Sequence, residues 1–368
     1  SEDKTRSLQR TLAAYLSHAI EDFPVDPNSI YEMVVVGNST MRDLFFRLSV
    51  YSIGQNPYRS ITELEVEAGQ RPNTGLVESA RRLGLPLHRA ARVVGLPIIS
   101  GHVGADAAAC LLAIDLAHED RLVALMDIGT NTELILGHKN KILAASCPAG
   151  PAFEGGKIAC GMAGLDGAIE KVTLCEDGAF ALGVIGGGAP QGICGSGLVD
   201  LLSELRRAER LNVLGRFEDA SEAVMLTRHN GDSIYLTEAD INELAQAKGA
   251  NVAGLKVVFD TFGARFDDVD VFYLAGGFGQ NLNPVSSRRI GLIPNLPDAK
   301  IRQVGNAAIE GATLALLSRQ KRRELENLVA RVQHCRLETH PRFFDYFVDG
   351  CQFDLVQSSA EPAPSVSA

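Results

Sequence analysis

The run Val123-Ala124-Leu125-Met126-Asp127-Ile128-Gly129-Thr130-Asn131-Thr132-Glu133-Leu134-Ile135-Leu136-Gly137 joins two apolar stretches through a short polar interval. The first stretch reads as a buried strand that delivers Asp127 to its end. Gly129 permits a tight turn, Thr130 and Asn131 line it, and a second strand leaves. A turn of this kind can aim backbone N–H groups at phosphate oxygens while a carboxylate holds Mg²⁺, directly or through water. An ordinary β-hairpin with a polar turn reads the same way, and short motifs recur by chance. Residues 137–141 read as a second tight turn, leading into a strand over 142–146, so strand follows strand here with no helix between.

Working outward, β-branched or apolar runs bounded by Gly, Asn or Asp predict further strands over 33–37 and 269–275. Helical periodicity alternates with them. Leu198, Leu201, Leu202 and Leu205 recur at i, i+3, i+4, i+7, and Thr237 with Asp240 forms a capping-box pattern opening a helix toward Lys248. The class is therefore α/β. At 368 residues and 46% hydrophobic content, the chain is long enough for two lobes around substantial cores.

The predicted strand over 269–275 runs directly into Gly276-Gly277-Phe278-Gly279. Glycines at a strand end let a backbone lie flat against a ring or a ribose, which side chains would block; a plain strand-to-helix turn also fits. A dinucleotide fingerprint does not, because counting from Gly277 places Leu282 where its third glycine belongs. A P-loop fails over 150–157, which has one residue too many before its lysine and no Ser or Thr after it. Two stripes of small residues complete the pattern: Ala105, Ala108 and Ala109, and Ala308, Gly311, Ala312 and Ala315. Such stripes permit close helix approach and sliding, although a tight core helix explains either one alone.

Composition narrows the function. The net charge is −10 and the 35 basic residues are scattered, so no electropositive face for nucleic acid or anionic lipid is predicted. The densest basic run, Arg319, Lys321, Arg322 and Arg323, reads as the solvated end of the apolar helix before it. The opening is polar, and the most apolar stretch, 103–117, is broken by Asp106 and Asp115, so neither a signal peptide nor a membrane span is predicted and a cytoplasmic location is expected. The seven cysteines are widely spread with no C-x-x-C pair, which predicts reduced structural thiols over a metal or iron–sulfur site; this includes Cys160 and Cys194 in glycine-rich loops.

In order, a small-residue helix, a D-x-G-T hairpin, a G-G-F-G turn and a second small-residue helix resemble the ATPase superfamily of actin, Hsp70 chaperones and sugar kinases. More specific stretches are Val34-Val35-Val36-Gly37-Asn38-Ser39-Thr40-Met41, Gly150-Pro151-Ala152-Phe153-Glu154-Gly155, Gly192-Ile193-Cys194-Gly195-Ser196-Gly197, Ala275–Gly279 and Val304-Gly305-Asn306-Ala307-Ala308. Together they resemble the C-terminal domain of the reductive activators of corrinoid proteins, over about residues 8–353. The resemblance implies a two-lobe, ribonuclease-H-like fold. Residues 1–120 and 306–355 would form the first lobe and 121–305 the second, with a disordered tail over 356–368.

The resemblance also implies an activity: ATP drives the uphill reduction of inactive Co(II) corrinoid to Co(I), with the electron supplied by a plant-type [2Fe–2S] domain. The implied partner is a corrinoid protein or corrinoid-dependent methyltransferase, and a homodimer stays open. Two departures stand out. The sequence has no C-x₄-C-x₂-C run and no earlier D-x-G-T turn before Val34. The [2Fe–2S] domain and the first phosphate loop are thus expected to be missing, the first lobe incomplete, and ATP binding by the isolated chain weak.

Carried over by motif, Asp127, Gly129, Thr130 and Asn131 would contact the phosphates or Mg²⁺, with Asp127 the metal-holding carboxylate. Gly276, Gly277 and Phe278 would contact the adenosine, Glu154 would orient water or metal, and Lys248 would flank the nucleotide. Gly195-Ser196-Gly197 fits either an anion-binding helix start or a plain cap. A small-molecule kinase and a non-catalytic docking or dimerisation module are the alternatives; no base for a substrate hydroxyl is evident for the former.

Overall fold

In the computed structural model, residues 2–229 and 232–357 are described. The chain divides into two compact units. Unit 1 comprises the residues up to Asp120, Gly137–Ala144 and Asn306–His334, and unit 2 comprises Arg121–Leu136, Ala145–Gly305 and the residues from Cys335 on.

Unit 1 holds a three-stranded sheet with Arg92–Gly95 at its centre, parallel to Glu32–Val35 and antiparallel to Leu76–Ser79. Phe45, Phe46, Leu83 and Val93 belong to its buried core. The 34–41 motif is where this sheet hands the chain to helices. Asn38 caps the helix Ser39–Phe45 by accepting from the Met41 N–H at 2.9 Å, and the Gly37 carbonyl accepts from Ala105 N–H at 2.9 Å. Gly104 lies so close to Asn38 Cα and the Gly37 carbonyl that a Cβ there would clash with backbone. A glycine is needed for that approach.

The two small-residue helices are Ala105–Ala113 and Ala307–Leu317, and they pack on each other. A Cβ on Gly311 would overlap the Ala109 carbonyl, so here one backbone rests on the other. The basic run departs from its expected place at a solvated helix end. It opens a helix of its own, Arg319–Val329, with Ser318 accepting from Lys321 N–H at 3.2 Å. Lys321 pairs with Asp115 at 3.1 Å and Glu324 at 2.9 Å, and Arg322 with Glu32 at 2.7 Å. Helix-capping by Ser318 and these carboxylates give the cations protein partners.

In unit 2 the strands run side by side in the order Ile301–Gln303, Val271–Ala275, Val123–Ile128, Thr132–His138, Lys141–Cys147. The far end of the last hairpin belongs to unit 1, where Val332–His334 pairs parallel with residues 142–144. Val271–Ala275 is parallel to Val123–Ile128 with Ala275 opposite Asp127. Two chain crossings therefore end at one level. A second sheet has the order Phe180–Val184, Ala168–Leu174, Gly192–Ile193. The four leucines of the helix Gly195–Arg207 are fully buried, as their spacing predicts.

The capping box of Thr237 and Asp240 is present, and the helix it opens runs beyond Lys248 to Phe262. Its interior glycines, poor helix formers, are required by packing: a Cβ on Gly254 would overlap Cys147 Sγ, and one on Gly249 would lie 2.6 Å from Cys351 Sγ. Residues 335–355, expected in the first lobe, group with unit 2 because the helix Phe343–Gly350 packs on this long helix and Tyr346 Oη hydrogen-bonds Asp260. The expected tail divides: Val356 is buried and its carbonyl accepts from Asn295 N–H, while residues 358–368 lie outside the described residues.

Candidate functional site

Asp127 stands at the end of Val123–Ile128, half-buried, and the turn that follows exposes Thr130 and Asn131. The turn is closed by Gly129 N–H donating to the Asn131 carbonyl at 3.1 Å. Its tip is tied to the 150–155 motif by two bonds. Gly150 N–H donates to the Thr130 carbonyl at 2.9 Å, and the Thr130 hydroxyl donates to Glu154 Oε2 at 2.5 Å. Glu154 is exposed, and its other oxygen lies 3.8 Å from where a Cβ on Gly129 would be.

The register that sets Ala275 opposite Asp127 brings the glycine-opened helix Gly276–Asn281 to the same place. Gly276 has φ +85 and no room for a side chain, because a Cβ would collide with Asp127 Oδ1. Its N–H donates to the Gly305 carbonyl at 2.8 Å, which draws in the 304–308 motif. Gly277 is exposed with open space around its Cα. The ring of Phe278 stacks on Phe153, with centroids 5.8 Å apart and planes at 29°. Both phenylalanines lie over Gly195, where a Cβ would meet the Phe278 ring and the Phe153 carbonyl. Gly195-Ser196-Gly197 is accordingly a buried helix start under an aromatic pair. Four of the five specific motifs meet around Asp127.

Lys248 does not join this group. It is fully buried, and its ammonium donates to the Gly350 carbonyl and, at 2.7 Å, to that of Gln352, beneath the Phe353 ring. Its role is to fasten the segment after Phe343–Gly350 to the long helix, so its assignment as a nucleotide neighbour is corrected. Burial pushes its pKa down from the ordinary 10.5 to about 7. Because the folded value lies below the unfolded one, the unfolded chain binds more protons between pH 7 and about 10. Stability should therefore rise with pH through that window and be lost as pH falls toward 7. Urea unfolding is expected to show a gain of roughly 2 kcal/mol from pH 7 to pH 9 that is absent in Lys248→Met. Equal slopes in the two proteins would contradict this.

Sequence reasoning missed Phe153 as the partner of Phe278 and Gly305 as the acceptor for Gly276. Both stood inside quoted motifs, but nothing local marks a contact made 125 or 29 residues away. It also gave no role to Thr132, whose hydroxyl is buried at the hairpin with no hydrogen-bond partner among the described residues. Cys194 is buried with Sγ 3.4 Å from the Ile169 carbonyl, and burial pushes the Cys147 thiol far up, away from thiolate reactivity.

A carboxylate-ended strand turning through Gly129 is thus faced by a helix opened with two glycines. Residues 121–367 match the family model described as the C-terminal domain of RACo, the ASKHA domain, and residues 2–119 match the RACo middle region. The chain belongs to the RACo family.

Among its relatives, the corrinoid activation enzyme RamQ of Eubacterium limosum is 31% identical over 372 residues, covering 94% of this chain and 60% of the relative. A [Co(II) methylated amine-specific corrinoid protein] reductase of Methanosarcina barkeri is 23% identical, covering 89% of this chain and 63% of the relative. A solved structure of a reductive activator for corrinoid, iron–sulfur protein superposes with a TM-score of 0.86 at 30% identity, covering 99% of this chain and 59% of the other. The chain thus spans about 60% of the length of these proteins. No helix among the described residues is long and apolar enough to cross a membrane.

Proposed function

We propose that this chain is the ATP-binding part of an activator that drives Co(II) corrinoid to Co(I) for a corrinoid-dependent methyltransferase system. The observation that carries the reading is the close approach of Gly276 to Asp127, where a Cβ would collide with Oδ1, which sets the hairpin and the glycine-opened helix side by side. The side chains fit Mg²⁺ and a triphosphate. Asp127 and Glu154 offer the hard oxygen donors that Mg²⁺ takes, Thr130 adds a hydroxyl, and Gly129, Gly276 and Gly277 leave the backbone open to phosphate and ribose.

When bound, Mg²⁺ would neutralise charge on the phosphates. Asp127 holds and orients it, Thr130 and Asn131 cradle phosphate oxygens, and Glu154, fixed through Thr130, positions water. Phe278, backed by Phe153, supports the nucleoside side. The electron is proposed to come from a [2Fe–2S] centre outside these residues, and the partner to be a corrinoid protein, as the relatives' names suggest. The test follows the corrinoid absorption during reduction by the protein carrying its [2Fe–2S] centre, with and without ATP. Co(I) formation that depends on ATP is expected; equal reduction without ATP, or phosphorylation of a small molecule by the chain, would overturn the reading.

A further inference from the structure

Unit 1 contains a cavity of about 770 Å³ lined by Arg6 and Arg10 from the helix Glu2–Glu21, by Arg47, Ser49 and Tyr51 from the loop after Ser39–Phe45, and by Arg82. No carboxylate is among its lining residues, in a chain whose net charge is −10. Arg82 is paired with an acid, Glu78 at 2.8 Å. A solvated basic face is the plain reading of scattered arginines, but two observations weigh against it here, the concavity and the anchoring of Arg47. The groups converge on a concavity whose size is that of small-molecule sites. Arg47, φ +64, is the left-handed cap residue of the helix Ser39–Phe45, with its N–H on the Leu44 carbonyl and that of Leu48 on the Asp43 carbonyl, so the helix end fixes where its side chain leaves. Its Nε donates at 3.0 Å to Gln9, a buried side chain whose own amide is fixed on the Leu83 carbonyl at 2.9 Å. That arrangement anchors the guanidinium at Nε and leaves its two terminal nitrogens for something else.

We infer that this cavity binds a small organic anion carrying two or more phosphate or carboxylate groups. Guanidinium forks pair bidentately with either group, and the Ser49 and Tyr51 hydroxyls add neutral donors. The site lies wholly within residues 5–82 and shares nothing with the hairpin of unit 2. It goes beyond the nucleotide reading and does not depend on it.

The 368-residue chain can be titrated calorimetrically at low ionic strength with pyrophosphate and, separately, with citrate. Saturable binding of at least one is expected, weakened by added salt, and the stronger of the two identifies a phosphate or a carboxylate ligand. Arg47→Gly should weaken it roughly ten- to a hundredfold, the usual effect of losing a charged hydrogen-bond pair. Arg47→Gly relieves φ +64 but leaves the buried Gln9 oxygen without its donor, so the melting temperature is read on Arg10→Ala, whose exposed helix position should let it hold, which separates lost binding from lost folding. Arg10→Ala should weaken binding in the same direction, while neither substitution should alter ATP-dependent Co(II) reduction. The inference is overturned if neither anion saturates, if both substitutions leave the affinity unchanged, or if only an acidic peptide such as hexaglutamate binds.

Discussion

Replacing Asp127 by alanine is expected to lower ATP-dependent conversion of Co(II) to Co(I) corrinoid by roughly 10²-fold or more, the scale of losing one preorganised electrostatic group. The carboxylate stands half-buried at a strand end, beside a turn whose exposed tip is secured by Glu154 and Gly150. A carboxylate there is worth most when charge develops on the transferring phosphoryl group. Reduction of the [2Fe–2S] centre itself should be unaffected, so only the ATP-coupled step fails. If Asp127 merely steadied the hairpin, alanine would cost about 1 kcal/mol of stability and little activity. A melting curve beside the absorption assay separates the two. A variant that melts earlier yet reduces corrinoid with full ATP dependence would remove Asp127 from the mechanism.

Gly276→Ala should disturb the site through Asp127 itself. The residue sits at φ +85, where a Cβ costs roughly 1 kcal/mol, and the added carbon would displace Asp127 Oδ1, a further 1 to 3 kcal/mol by the measure of overpacked sites. If the carboxylate holds Mg²⁺, displacing it should raise the ATP concentration that half-saturates corrinoid reduction by roughly tenfold or more, the scale of losing one charged interaction. Gly277→Ala is the control, since nothing lies near its Cα. Equal ATP dependence in the two variants would show that the contact with Asp127 has no part in binding.

Much of this was written locally in the chain. An apolar run with an acid at its end, a glycine two residues on and another apolar run can form little other than a hairpin presenting that acid, and 123–137 does so. The leucines of Gly195–Arg207 and the box at Thr237 are equally local, because their signals repeat within a helical turn. What escaped the sequence depends on partners far along the chain. Lys248 looks like a surface lysine until Gly350 and Gln352, about a hundred residues on, supply carbonyls for its ammonium. Arg322 looks solvated until Glu32 arrives from the first strand of unit 1. Phe278 offers a ring to a ligand in the sequence, but in the structure Phe153 already occupies one side of it. Periodicity names the face of an element and is silent about which distant segment will cover it.

The pairing of Ala275 with Asp127 imposes a constraint of counting on top of one of composition. Side chains alternate along a strand, so inserting or deleting one residue within Val271–Ala275, buried on both faces, would swap the side chains that meet each face and carry Gly276 one step past the carboxylate. Valine, isoleucine and leucine can exchange there at modest cost. Length cannot vary. Homologous chains that keep this site should therefore drift freely in the letters of the segment while never gaining or losing one, and insertions should collect in loops remote from both strand ends.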